Sequence, residues 1–210
     1  MKNLVIIGAR GWGREVYFAA TRIAEREKIT VKGFLDEKAD AFDGLEGQFP
    51  PILGSVENYE IQENDIFFCA LGEPYYRKKY VDMIRAKGGK FMTIISPETV
   101  INPTAKIGEG SFIGRNVFIS DNVVLGEHTT VLGLCTLGHD VKVGNFVTIE
   151  AYSFLGGFSE VGDMSSIHVR STIILKKKVG ANCSVGACSV VVRNVKDGYH
   201  VYGNPAMKIE

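Results

Sequence analysis

The 210-residue sequence predicts two folds in tandem, a small parallel α/β domain over residues 1–96 and a parallel β-helix over residues 97–210. Three observations carry this expectation. Residues 1–95 alternate apolar strand-like runs with segments of helical period. From residue 101 the hydrophobic period changes to six. Glycine reaches 24 residues, well above the usual level of about 7%, while proline numbers only 6. So low a proline count excludes collagen and proline-rich linkers.

In the first part, Leu4–Ile7 reads as a short buried strand that ends in Gly8-Ala9-Arg10-Gly11-Trp12-Gly13. Arg14 to Glu27 follows as a helix, with Val16, Ala19, Ala20 and Ile23 on one face. Val31–Leu35 is a second strand ending at Asp36, and Asp65–Ala70 a third. Pro74 suits the first turn of the next helix, Tyr75 to Lys87, which Gly88-Gly89 closes. Phe91–Ile95 is expected as the last strand.

In the second part, every sixth residue from Ile101 to Val191 is aliphatic, sixteen positions in sixteen with no slip of phase. The next position is glycine nine times, among them Gly108, Gly126, Gly144 and Gly180. Four residues after each aliphatic comes a small or β-branched residue, with Lys177 the exception. Such a hexad is the mark of a parallel β-helix. The aliphatic fills the interior, glycine is expected to supply a positive-φ turn, and three hexads close one coil, so residues 18 apart stack. Sixteen hexads make a little over five coils. The hand of the coil is not readable from the period.

Charge narrows the function classes. The 24 basic and 24 acidic residues balance overall, and also within each part, 14 against 14 in residues 1–96 and 10 against 10 beyond. A nucleic-acid binder needs a basic surface, and none is expected here. The first apolar run spans four residues and no stretch reaches the ~18 needed for a membrane span, so no span is expected. Cys69, Cys135, Cys183 and Cys188 lack metal-site spacing, which argues against a metal site or disulfide framework and suits a reducing cytoplasm.

Two places look chemical. A glycine-rich turn between a strand and a helix offers N–H groups to a phosphate. The glycines of this one fall as G-x-x-G-x-G and not as the dinucleotide fingerprint, and Asp36 at the end of the second strand is placed to accept from ribose hydroxyls. Half of a doubly wound sheet suits one nucleotide better than two. The alternative is a tight turn without a ligand. Of His128, His139, His168 and His200, only His139 is followed by a carboxylate, Asp140, at a turn position of the coil. A carboxylate can hold an imidazole in one tautomer for proton transfer. Eighteen residues after His139 stands Gly157, one coil away on the same edge. Lys176-Lys177-Lys178 reads either as a solvated loop or as a phosphate contact.

The hexads resemble those of the hexapeptide acyltransferases. Gly8 to Val16, Gly33-Phe34-Leu35-Asp36-Glu37, Ala70-Leu71-Gly72 with Arg77-Lys78-Lys79, Ile95-Ser96-Pro97 and Gly203-Asn204-Pro205-Ala206 are similar to one subgroup. That subgroup is the bacterial nucleotide-sugar acyltransferases: UDP-4-amino-sugar and GDP-perosamine N-acetyltransferases and sialic acid O-acetyltransferases. The resemblance spans the whole chain. It implies a Rossmann-like half-domain followed by a left-handed parallel β-helix, a homotrimer with active sites between subunits, acetyl-CoA as cosubstrate and no metal. It assigns Arg10, Gly11, Trp12, Asp36, Glu37 and Gly72 to the nucleotide sugar, His139 as general base, Asp140 as its partner, and Thr148, Gly157, Val169 and Ala187 to acetyl-CoA. Gly157 aligns with the family's glycine that contacts the thioester carbonyl, the residue reached independently by stacking. Trp12 and Thr148 stand where relatives usually carry histidine, and His168 where glycine is common.

The expected activity is N-acetylation of a nucleotide-linked amino sugar. The alternatives are O-acetylation of sialic acid or another sugar, a non-catalytic nucleotide-binding scaffold, and a γ-type carbonic anhydrase, for which the histidine spacing is wrong.

Overall fold

The computed structural model describes residues 1–209. Two compact units divide the chain, Met1–Ile94 and Ile95 onward.

The first unit is a three-stranded parallel sheet with two helices. Its elements are β1 (Lys2–Ile7), α1 (Gly11–Glu27), β2 (Ile29–Leu35), β3 (Asp65–Cys69) and α2 (Pro74–Ala86). β1 lies between β2 and β3, which is why Leu4 to Ile7 form an unbroken apolar run: a central parallel strand is covered on both faces. The expected strand Phe91–Ile95 is divided. Phe91 makes a single bridge to Phe67, and Ile94–Ile95 opens the solenoid instead.

Two glycines decide how α1 meets the sheet. Gly8 has φ +96°, a conformation that favours glycine. A Cβ on Gly13 would overlap the Gly8 carbonyl oxygen, so glycine at 13 lets the helix start against the end of β1.

The second unit is a β-solenoid of about 6 turns from residue 94 to 201. Two-residue strands end on each sixth aliphatic, and parallel ladders join positions 18 apart, as in Thr130 to Thr148 to Ser166 to Ser184. The solenoid outruns the sixteen hexads by recruiting Ile94–Ile95 below and His200–Tyr202 above. It sheds two residues in the last coil, where Val195 pairs with Val179 and Val201 with Val185. From Ile113 to Val191 the aliphatic positions are buried. The small position beside them is buried too, the half-buried Lys177 excepted. Most of its hydroxyls and thiols donate to a carbonyl about one coil on, Thr129 Oγ1 to Gly144 O at 2.8 Å and Cys135 Sγ to Glu150 O at 3.0 Å, whereas Ser159 Oγ does not.

The hexad glycines serve differently from expectation. Left-handed φ falls two residues later, on thirteen consecutive non-glycine hexad positions from Asn116 to Cys188, and each such residue from His128 to Cys188 donates its N–H to a carbonyl 19 residues earlier. Glycine next to the aliphatic is needed for close approach between coils: a Cβ on Gly108 would lie 2.5 Å from the Glu127 nitrogen.

The four cysteines are unbridged. Burial pushes the Cys69 thiol up to about 12 and Cys135 to about 11, and raises Cys183, while Cys188 is exposed. Reactivity follows the thiolate, so Ellman's reagent is expected to titrate one thiol promptly in the native protein and four after denaturation. Prompt reaction of two or more would contradict this packing.

Candidate functional site

In open α/β sheets ligands bind beyond the carboxyl ends of the strands. Here the ends of β1, β2 and β3, with the starts of α1 and α2, enclose a cleft of about 660 Å³, well within the range of small-molecule sites. Arg10, Trp12, Asp36, Glu37 and Gly72 line it, and Gly11 stands beside it at the first position of α1.

The start of α1 suits an anion. Its first helical hydrogen bond is Arg14 N–H to the Arg10 carbonyl, no side chain caps it, and no acidic residue lies in its first turn. The N–H groups of a helix's first turn point out of its end, and the helix dipole favours negative charge there. Arg10 and Lys79 add positive charge to the cleft. The Asp36 carboxylate accepts the Ala9 N–H at 2.9 Å and the Lys38 N–H at 3.0 Å. It thereby pins the turn to β2, and each oxygen retains a lone pair for a ligand.

Gly11 and Gly72 differ from the glycines above. Neither has a left-handed φ, and nothing lies within 4 Å of where a Cβ would stand. Nothing in the chain itself requires glycine at either place, and both border the open cleft.

The opposite wall escaped the sequence reading. Tyr76, Lys79 and Tyr80 project from one face of α2, and Glu57 from a loop. The i, i+3, i+4 spacing on α2 was the available signal; Glu57 offered none. The Tyr80 hydroxyl donates to Glu37 Oε1 at 3.4 Å, and burial together with the Glu57, Glu37 and Asp36 charges raises its pKa, which keeps it a donor. Beneath the turn after β3, the buried Arg77 guanidinium donates to the Leu71 carbonyl at 3.2 Å. Burial lowers it to about 10, against the opposing pull of Cys69 and Glu73, so it stays charged at neutral pH.

In the solenoid, His139 and Asp140 occupy the turn after strand Thr136–Leu137. Asp140 has the left-handed φ of +58°. That conformation turns the carboxylate back onto its neighbour, Asp140 Oδ2 to His139 Nδ1 at 2.8 Å, and Asn122 Nδ2 donates to the other oxygen at 3.4 Å. A carboxylate only accepts, so the network assigns the proton to Nδ1 and the lone pair to Nε2. The imidazole is 54% exposed, with Phe158 edge-on at 5.0 Å. Its Nε2 faces Gly157, where a Cβ would stand 2.8 Å away. The Gly157 N–H has no acceptor among the described residues.

The remaining residues assigned to acetyl-CoA stand elsewhere on the coil. Val169 and Ala187 stack on the next edge, and Thr148 lies buried on the face leading to it. One chain thus brings Gly157 to His139 but not the other three. His128, His139 and His168 lie on three different edges, and no group of acidic, histidine or cysteine side chains among the described residues is arranged to hold a metal ion. No helix among them is long and apolar enough to cross a membrane.

Residues 95–204 match the family model of the GMPPB C-terminal domain, and residues 3–84 that of the PglD N-terminal domain. A point variant of perosamine N-acetyltransferase from Caulobacter crescentus, solved with CoA and GDP-perosamine, is similar over 100% of this chain and 98% of its own, with 25% identity and a TM-score of 0.89. The acetyltransferase domain of PglB from Neisseria gonorrhoeae FA1090, solved with acetyl coenzyme A, is 27% identical over 99% of each chain, with a TM-score of 0.78. WeeI from Acinetobacter baumannii AYE shares the fold at 22% identity, covering 100% of both chains, with a TM-score of 0.88. A sequence search of curated proteins returns no match.

Proposed function

Because the chain belongs to the hexapeptide-repeat nucleotide-sugar acetyltransferases, which use acetyl-CoA, we propose that it transfers an acetyl group to the amine of a nucleotide-linked amino sugar, with His139 as general base. The observation that carries this reading is the Asp140-oriented imidazole with its Nε2 presented beside Gly157.

The amine attacks the thioester carbonyl directly. His139 Nε2 takes the amine proton as the C–N bond forms, Asp140 stabilises the resulting imidazolium, and the Gly157 N–H donates to the oxyanion. Collapse breaks the C–S bond and CoA leaves as the thiolate. The cleft of the first unit holds the nucleotide, with its phosphates at the start of α1 beside Arg10 and Lys79.

The functional particle in this reading is a homotrimer. On one solenoid face Val100, Phe118 and Phe154 are 55%, 40% and 44% exposed, with Thr136 and Thr172 on either side of Phe154. Such an apolar stripe is costly in water, and a second copy would cover it. A groove between copies then unites His139 and Gly157 of one protomer with Thr148, Val169 and Ala187 of the next. Four unbridged cysteines suit a cytoplasmic setting.

The test is release of CoA thiol from acetyl-CoA with a panel of UDP- and GDP-linked amino sugars, corrected for the exposed Cys188. Turnover with at least one sugar is expected. Binding of a nucleotide sugar with no turnover of any would overturn the reading. Within it, Gly72→Val fills the cleft without strain on the fold. The variant is expected to melt with the parent while its KM for the sugar rises roughly tenfold or more; an unchanged KM would remove Gly72 from the site.

A further inference from the structure

On the edge that carries Val169 and Ala187, three polar side chains from successive coils are linked in series. Glu150 Oε2 accepts the Val169 N–H at 2.9 Å, and Oε1 meets His168 Nδ1 at 3.1 Å. His168 Nε2 stands 3.1 Å from Ser184 Oγ. Stacking builds this series. Glu150 and His168 are 18 residues apart, and Ser184 begins the strand that pairs with Ser166–Ile167 just before His168.

Both Glu150 oxygens act as acceptors, so Nδ1 carries the proton and Nε2 its lone pair. The Ser184 O–H must then be the donor to Nε2. Glu150 and His168 side chains are 34% and 39% exposed, so the series is open to solvent. A hydroxyl within reach of a base that a third group orients is the arrangement that turns an alcohol into a nucleophile, and it is recognised by geometry, not sequence order. None of the three residues takes part in the transfer through His139.

We propose that Ser184, His168 and Glu150 form a second acyl-transfer centre, in which Ser184 takes the acyl group of an acyl thioester and water removes it. The choice of thioester rests on the acetyl-CoA reading, which places that ligand along Val169 and Ala187. In the first step Ser184 Oγ bonds to the carbonyl carbon, its proton passes to His168 Nε2, and the C–S bond breaks. The thiolate leaves with that proton. In the second step water attacks the ester, His168 takes a water proton and returns it to Ser184 Oγ as the C–O bond breaks, and acetic acid departs, giving up its remaining proton to solvent. Glu150 holds the imidazolium in both. The Ala187 N–H, in the turn after Ser184–Val185, has no acceptor among the described residues and is a donor for the oxyanion.

The experiment uses the full chain carrying His139→Ala, with no sugar acceptor, and two probes: acetyl-CoA, and p-nitrophenyl acetate, which needs no CoA site. An acetyl adduct on Ser184 by peptide mass spectrometry is expected, with slow hydrolysis of both probes. Adding Ser184→Ala should erase the adduct and lower hydrolysis roughly hundredfold. Ser184→Cys should restore an adduct, now a hydroxylamine-labile thioester. Glu150→Gln should slow acylation while leaving Ser184 the modified residue. The proposal falls if the folded Ser184→Ala variant cleaves p-nitrophenyl acetate as fast as its parent, or if no adduct forms at residue 184. Ser184-dependent cleavage of p-nitrophenyl acetate alone would uphold the centre and remove acetyl-CoA as its donor, which separates its failure from failure of the acetyl-CoA reading.

Discussion

His139→Ala is expected to lower acetyl transfer by roughly 10²–10⁴-fold, the contribution of a positioned general base. The side chain is half exposed and meets Phe158 edge-on. Its loss should therefore leave the melting temperature and the mass by light scattering, three chains in the proposed particle, unchanged. Asp140→Asn should retain more activity, because the amide can still hold the ring but no longer carries the charge that stabilises imidazolium. Gly157→Ala should fall between them, since its Cβ would stand 2.8 Å from Nε2 and displace the ring. Measurement of kcat for the three variants decides. Full activity in His139→Ala would end the proposed mechanism.

Gly13→Ala has the largest expected effect on the first unit. Its Cβ would overlap the Gly8 carbonyl oxygen, which is backbone held by the Gly8 N–H bond to Leu35 O at 2.8 Å. The start of α1 must move away from β1. Overpacking of this kind costs about 3 kcal/mol, and the displaced turn would also lose its ligand. Gly11→Ala is the control: nothing lies within 4 Å, and alanine favours helix by up to about 1 kcal/mol. Calorimetry should show Gly13→Ala unfolding at lower temperature and Gly11→Ala unchanged or more stable. Equal melting of Gly13→Ala and the parent would refute the close approach.

These two glycines show how far the motif was legible. Gly8, Gly11 and Gly13 read alike as parts of one phosphate turn. In the structure Gly8 and Gly13 are required by backbone geometry, and only Gly11 is left open toward a ligand. The wall of the cleft from α2 was less legible still, because Tyr76, Lys79 and Tyr80 reach Asp36 and Glu37 only after β3 crosses beside β1.

By itself the sequence determines the solenoid and the pairing of positions 18 apart, because every coil buries the same slot and one polar residue there would be exposed as a break in the period. That arithmetic also locates Gly157 against His139, and it contains the Glu150–His168 spacing unread. The tertiary structure alone decides what each turn residue does. Left-handed φ falls on residues such as Asp140 and not on the hexad glycines, and that conformation returns the carboxylate to His139. The physical reason is that a repeat records which side chains are buried. Backbone handedness at a turn, and the hydrogen bonds that follow from it, depend on the coil packed beneath.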